Sequence, residues 1–247
     1  VSGRPITPPG WLALDGTLAV EDGRPYLVFT HDWAQVADGT IELAPLTGDL
    51  TALAAPPKTI IRASAVAPNT RRGVTDGPFV YRSSKSGRLF VMWSTHNPNK
   101  PSGSGYCVVA SESLSGRLAG PWGNHRIISD ENGGHGMVFR TFDGRLKFAL
   151  HQPEEWGREH ARFFDFVDDG GTVSVRMPKT FDVRAYSSVA ATVAACRVAG
   201  GGRIVVPKGI WRSDGPVQLA SDCELHLEEG AELVFSDSPK DYLPAVR

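Results

Sequence analysis

Three stretches of this chain repeat one plan: a short strand with a polar residue at its entrance, a glycine-containing turn, and a second strand rich in β-branched and aromatic residues. Glu21-Asp22-Gly23-Arg24 leads into Pro25-Tyr26-Leu27-Val28-Phe29. Ser84-Lys85-Ser86-Gly87 leads into Arg88-Leu89-Phe90-Val91-Met92-Trp93, and Phe142-Asp143-Gly144 into Arg145-Leu146-Lys147-Phe148-Ala149-Leu150. Each reads as a hairpin turn followed by a strand. The entrances are Leu14-Asp15-Gly16-Thr17, Thr75-Asp76-Gly77-Pro78 and Gly134-His135-Gly136-Met137, with polar members 61 and 59 residues apart. A β-unit recurring at that period points to propeller blades of about four strands each. The innermost strand of every blade starts at one mouth of the channel, so Asp15, Asp76 and His135 are expected to meet in one pocket. Each Asp-Gly pair precedes an apolar strand and is not itself the hairpin turn, which separates this reading from mere turn marking.

The texture changes near Val175 to Lys179. Ser188 to Ala199 is small and Ala-rich, with Val189, Val193 and Cys196 at helical spacing, and Gly200-Gly201-Gly202 stops it. Short strands are predicted next at 203–207, 217–219, 224–227 and 232–235, separated by turns at Lys208-Gly209, Ser221-Asp222 and Glu229-Gly230. Rungs at such short intervals suggest the start of a right-handed parallel β-helix. The expectation is an all-β chain: a partial β-propeller of about three blades over residues 1–177, then the β-helix start over 178–247.

The 41% hydrophobic content supports a real core and argues against disorder. A net charge of −1 argues against a general nucleic-acid partner. No apolar run approaches the ~20 residues of a membrane span, so no membrane partner is expected. The start, Val1-Ser2-Gly3-Arg4-Pro5, reads as a cut or processed end, and the sequence selects neither a bacterial cytoplasmic nor a secreted location. Cys107, Cys196 and Cys223 are too few and too scattered for a disulfide framework or a zinc site, and read as ordinary semi-buried thiols.

About residues 5–176 resemble family-43 glycoside hydrolases, five-bladed β-propellers acting on arabinose- and xylose-containing glycans. The resemblance rests on Trp11-Leu12-Ala13-Leu14-Asp15-Gly16-Thr17-Leu18, on Val74-Thr75-Asp76-Gly77-Pro78-Phe79-Val80-Tyr81-Arg82, on Gly133-Gly134-His135-Gly136-Met137-Val138-Phe139, and on Arg162-Phe163-Phe164. About residues 180–247 resemble the beginning of a family-28 polygalacturonase. The matching strings are Phe181-Asp182-Val183-Arg184, 199–207, 225–231 and Asp241-Tyr242-Leu243-Pro244. That family's catalytic aspartates lie further along its β-helix than this chain reaches, so pectin hydrolysis is the weakest of the readings.

Glycoside hydrolysis needs an acid for the leaving oxygen and a base for water. The family-43 resemblance implies an inverting reaction with three acidic residues from three blades. It makes Asp76 the general acid, one methylene shorter than the glutamate common there, and Asp15 the carboxylate that tunes it. A neighbouring negative charge keeps an acid protonated near neutral pH. The family's base belongs to a blade upstream of Asp15, where the 14 preceding residues hold no acid; Asp32, Asp38 or a carboxylate from another subunit are candidate substitutes, and the sequence selects none of them. His135 matches a channel histidine often beside calcium or ordered water, and is also a candidate for hydrogen bonding or sugar contact. No cofactor is required, and calcium near His135 is the single metal expectation, although calcium prefers oxygen ligands. Arg162 matches an arginine facing the pocket. His31 and Trp33 just after a strand, with Trp11 and Trp93, are candidate sugar walls, since aromatic faces suit the C–H side of a ring; His96 and His151 also follow strand ends.

The expected function is therefore a glycoside hydrolase acting on β-xylosides or α-L-arabinofuranosides, its partner a plant cell-wall oligosaccharide or small glycoside. The alternative is a non-catalytic carbohydrate-binding or structural remnant of a fused or truncated glycosidase. An open arc of blades exposes strand edges and apolar faces, so a homo-oligomer is expected. Light scattering at micromolar concentration should give a mass above that of one chain; a clean monomer refutes self-association.

Overall fold

The computed structural model describes residues 3–67, 73–100 and 105–242. The chain forms two compact units, 1–176 and 177–247. The end of the string Asp241-Tyr242-Leu243-Pro244 lies outside the described residues. Among the described residues no helix is long and apolar enough to cross a membrane.

The first unit holds three four-stranded antiparallel sheets, each with its strands in sequence order. The first contains β1 (Ala13–Glu21), β2 (Arg24–His31), β3 (Thr40–Pro45) and β4 (Lys58–Arg62), with a short helix α1 (Trp33–Val36) between β2 and β3. The second contains β5 (Asp76–Arg82), β6 (Leu89–His96), β7 (Tyr106–Ser113) and β8 (Trp122–Ser129). The third contains β9 (Gly134–Arg140), β10 (Leu146–Gln152), β11 (His160–Asp168) and β12 (Val173–Arg176). These are three propeller blades, and the predicted hairpins are their first two strands.

Period-2 alternation explains how the blades stack. In β6, Leu89, Val91 and Trp93 pack with Val28, Ile41, Leu43 and Ile61 of the first blade. Phe90 and Met92 point the other way, toward Phe148, Leu150, Phe164 and Phe166 of the third. The strand is thus buried on both faces, which is why its sequence is a continuous apolar run. Trp93 is fully buried with its Nε1–H donating to Ser111 Oγ at 2.8 Å, so it is a core residue and not a sugar wall. Polar ties reinforce the stack: Thr17 Oγ1 donates to Pro78 O at 2.7 Å, Thr30 Oγ1 to Thr75 O at 2.5 Å, and Leu118 N to Glu21 Oε1 at 2.9 Å.

Each inner strand begins with a register shift: between Leu14 and Thr17, between Asp76 and Phe79, and opposite Ala149 to His151. At each shift one residue takes a left-handed backbone: Asp15 (φ 56°), Gly77 (φ 57°) and His135 (φ 49°). These bulges re-aim side chains at the mouth. They also correct the repeat read from sequence. Leu14, Asp76 and Gly134 occupy matching pair positions, so the true equivalents are Asp15, Gly77 and His135, and Asp76 stands one residue earlier. Gly77 has to lack a side chain, because a Cβ there would sit 2.7 Å from His135 Cα.

The second unit contains β13 (Thr180–Asp182), helix α2 (Val189–Val198), β14 (Gly202–Val206), β15 (Gly209–Ser213), β16 (Cys223–Leu227) and β17 (Ala231–Phe235). All pairings are parallel: β13–β14–β16 in one sheet and β15–β17 in another. Helix α2 is capped by Ser188 Oγ, which accepts from Ala191 N at 3.0 Å, and buries Val189, Val193 and Cys196 as its spacing predicts. The strand predicted at 217–219 does not form; that segment is irregular. Pro216 just before it lacks the N–H that a ladder needs.

The inter-blade core sets a stability expectation. Phe148 is fully buried between the second and third blades. Phe148→Ala should cost about 3–5 kcal/mol, measured by urea unfolding of the whole chain; a loss below about 1 kcal/mol would contradict the packing.

Candidate active site

Asp15, His135 and Asp76 meet at the mouth where the inner strands start. His135 Nε2 lies 3.2 Å from Asp15 Oδ2 and 3.9 Å from Asp76 Oδ2. The donor atoms of the three residues all lie within 4.8 Å of one another. Asp15 is fixed by the Gly77 N–H, which donates to its Oδ2 at 2.9 Å across the blade boundary. Asp76 is fixed by Tyr106, whose hydroxyl donates to Oδ2 at 2.6 Å. The His135 N–H donates to Ser94 Oγ at 3.0 Å.

The two carboxylates have opposite environments. Burial pushes the Asp76 carboxyl above its ordinary value; the Tyr106 hydrogen bond and His135 oppose this, while the charges of Asp15 and Asp32 add to it. Burial also acts upward on Asp15, but the hydrogen bond from His135, the Gly77 N–H and the His135 charge outweigh it, and Asp15 is lowered. His135 is raised, first by its hydrogen bond to Asp15, against burial, with the charges of Asp15, Asp76 and Glu154 contributing. One carboxyl is thus biased toward holding a proton and its neighbour toward losing one, the pattern that assigns acid and partner roles. The two sit too close for a water to lie between them as in an inverting acid–base pair, which needs about 6.5–9.5 Å. Asp15 and Asp76 therefore do not have the spacing of an inverting acid–base pair.

The stability linked to this pair has a definite pH window. The lowered Asp15 contributes above its ordinary value near ~4 and loses that contribution as pH falls through its folded value. The raised His135 contributes below ~6.5 and loses that contribution as pH rises through its folded value. The pair is strongest between about pH 4 and 6.5.

Other residues line the same mouth. His151 pairs with Glu154, and its ring lies 5.2 Å from that of His135. Tyr106 packs near both rings, with centroids 6.0 Å from His135 and 6.3 Å from His151. The sequence reading did not name Tyr106 or Glu154. The available signal for Tyr106 was an aromatic residue with a polar tip opening the apolar run Cys107-Val108-Val109-Ala110.

The remaining predicted residues are placed by β2, α1, β11 and the loops beside them. His31 ends β2 opposite Ala13, stacked on Trp11 with centroids 3.9 Å apart, its Nε2 2.7 Å from Gln35 Oε1. Trp33 opens α1 and is partly exposed. Arg162 in β11 pairs with Leu150, on the face that carries Phe164 and at the same end of the blade as His135. Asp38 has both oxygens occupied by Ser64, through its N–H and its hydroxyl. Asp32 caps α1 through Oδ1, which accepts from Ala34 N at 2.6 Å.

Among the described residues, two side-chain groups bring three metal-ligand atoms together: Asp15, Asp76 and His135, and His135, His151 and Glu154. Calcium takes about six to eight oxygen ligands. Neither group offers more than two carboxylates, and each includes imidazole, so these side chains alone supply only part of the oxygen shell that calcium takes.

A blade stack with paired acidic residues at its mouth is the architecture of the propeller glycoside hydrolases. Residues 3–169 match the family described as glycosyl hydrolases family 43, and the chain belongs to that family. Among solved structures, it is similar to an endo-arabinase from Bacteroides thetaiotaomicron, with 32% identity and a TM-score of 0.61 over 68% of this chain and 61% of that one. It is also similar to an endo-1,4-β-xylanase from the same organism, with 22% identity and a TM-score of 0.57 over 70% and 60%. A third is an α-L-arabinofuranosidase from Lactobacillus brevis, with 19% identity and a TM-score of 0.55 over 70% and 58%. The chain thus aligns with about 60% of the length of these structures. No curated protein matches the sequence.

Asp15→Asn should lower the His135 pKa toward its ordinary ~6.5, because the imidazolium loses its charged partner. Ring-proton NMR titration measures this; an unchanged or raised value would overturn the pairing.

Proposed function

We propose that the propeller unit is a glycoside hydrolase that cleaves β-xylosides or α-L-arabinofuranosides, presented as plant cell-wall oligosaccharides or small glycosides, by inverting acid/base hydrolysis. The observation that carries this is the convergence of Asp76, Asp15 and His135 at the channel mouth. In this reading Asp76 gives its proton to the glycosidic oxygen as the sugar–oxygen bond breaks. Asp15 keeps Asp76 protonated beforehand by its negative charge, and the Tyr106 hydroxyl orients the carboxyl. His135 holds Asp15 ionised and in place. The arabinase, xylanase and arabinofuranosidase relatives support the pentose-glycan substrate class.

For the base, Asp32 is the better of the two substitutes. Its charge is felt at Asp76, and its Oδ2 is not used in capping α1. Asp38 is committed to Ser64. Asp32 would deprotonate the water that attacks the anomeric carbon on the opposite side from Asp76. His31, Trp33 and Arg162 are assigned to sugar contact around this centre.

Self-association is part of the same proposal. Leu18 and Val20 of β1, 53% and 62% exposed, face away from the second blade, as do Met137 and Phe163, 50% and 61% exposed, on the third. Exposed apolar patches of this kind mark association surfaces. The second unit is proposed as the opening rungs of a parallel β-helix of the polygalacturonase type, supported by its all-parallel pairing and the 199–207 and 225–231 strings.

On a panel of nitrophenyl pentosides, Asp76→Ala should lower kcat by at least ~10²-fold, the scale of general acid catalysis, and Asp32→Asn by a similar factor. Asp15→Asn should move the alkaline limb of kcat/KM to lower pH, since Asp76 loses a neighbouring charge that keeps it protonated. Unchanged turnover in Asp76→Ala eliminates the acid assignment. Pentose-oligosaccharide binding by calorimetry without any cleavage selects the non-catalytic alternative.

A further inference from the structure

Cys196 and Cys223, 27 positions apart and read from sequence as unrelated thiols, are neighbours in the second unit, with Sγ atoms 2.9 Å apart. Both are unbonded. The last turn of α2 and the start of β16 carry them, and backbone hydrogen bonds bring these two places together. The Gly201 N–H donates to Cys196 O at 3.0 Å, and the Gly202 N–H donates to Asp222 O at 2.9 Å. The glycine run makes this approach possible: a Cβ on Gly201 would lie 2.6 Å from Asp222 O, and Gly201 and Gly202 both have positive φ, 116° and 150°. The two thiols are therefore held side by side by backbone segments that are hydrogen-bonded and closely packed at the glycine run.

We propose that Cys196 and Cys223 are a disulfide-forming pair that locks helix α2 onto the parallel sheet. Cys196 is fully buried and Cys223 partly exposed, so the reaction has an order. A low-molecular-weight disulfide such as oxidised glutathione reaches Cys223. The Cys223 sulfur, having lost its proton, attacks one sulfur of the reagent; a mixed disulfide forms and one glutathione thiolate leaves with the proton. Cys196 then gives up its proton and attacks the Cys223 sulfur, and the second glutathione leaves as thiol. Two protein thiols are oxidised, one disulfide is reduced to two thiols, and both protons go to the products. Cys196, enclosed where Cys223 is partly exposed, is the resolving partner, and burial with the Cys223 neighbour also pushes its thiol up to about 12. Cys107 lies in β7, within the propeller core, and takes no part.

The whole chain is incubated with oxidised glutathione and compared with chain kept in dithiothreitol. Thiol titration in denaturant should fall from three per chain to one. Non-reducing tryptic mapping should show the peptides 185–197 and 213–240 linked. The melting temperature of the second unit should rise by several degrees on oxidation, because the cross-link restricts its unfolded chain. Cys107→Ser should keep the link and the rise, with thiols falling from two per chain to none, and Cys223→Ser should abolish the link and the rise. Three thiols persisting after oxidation, a link through Cys107, an intermolecular link, or a formed link without a rise in melting temperature would each overturn the proposal.

Discussion

Burial of the β6 strand on both faces is the constraint on which the propeller unit depends. Odd and even residues of Leu89 to Trp93 enter two different cores, one shared with each flanking blade. Dispersion and hydrophobic burial at both cores fix the angle and height of the three blades relative to one another. Once those are fixed, the entrances of β1, β5 and β9 fall at a common mouth, and residues 62 and 120 positions apart come within hydrogen-bond range. The chemistry at the mouth is thus a consequence of packing further down the blades.

The mouth shows how small backbone features set electrostatics. The Gly77 N–H spans the boundary between two blades to reach Asp15, and the absence of a side chain on Gly77 lets His135 approach. With His135 beside it, Asp15 is lowered; burial, with the charge of Asp15 adding to it, raises Asp76. The opposed shifts arise from geometry that an added methyl group on Gly77 would disturb. Tyr106 completes the arrangement from β7, a strand that carries no motif residue.

The second unit follows the same logic with different elements. Its parallel strands cannot be joined by tight hairpins, and they bury a common row, with Phe181, Ile204 and Leu225 directly in register. Helix α2 covers one side of that row, and the glycine run after it lets the chain turn back into β14 without a clash. The same turn brings two cysteines together that the sequence keeps apart.

The periodic β-hairpins, the helix over Val189 to Val198 and the identities of Asp15, Asp76 and His135 are legible in the chain itself, because alternation, turn residues and helical spacing are local signals. The bulges that make Gly77 and not Asp76 the counterpart of Asp15 are not local, since pairing register is settled between strands. Tyr106 and the Cys196–Cys223 contact belong to the same class. Their partners lie far away in sequence, and only the stacking of blades and of rungs decides which distant side chains touch. The order of residues thus determines which elements form and which groups are available; tertiary packing decides their neighbours, and with them the protonation states, because charge and burial act through space and not along the chain.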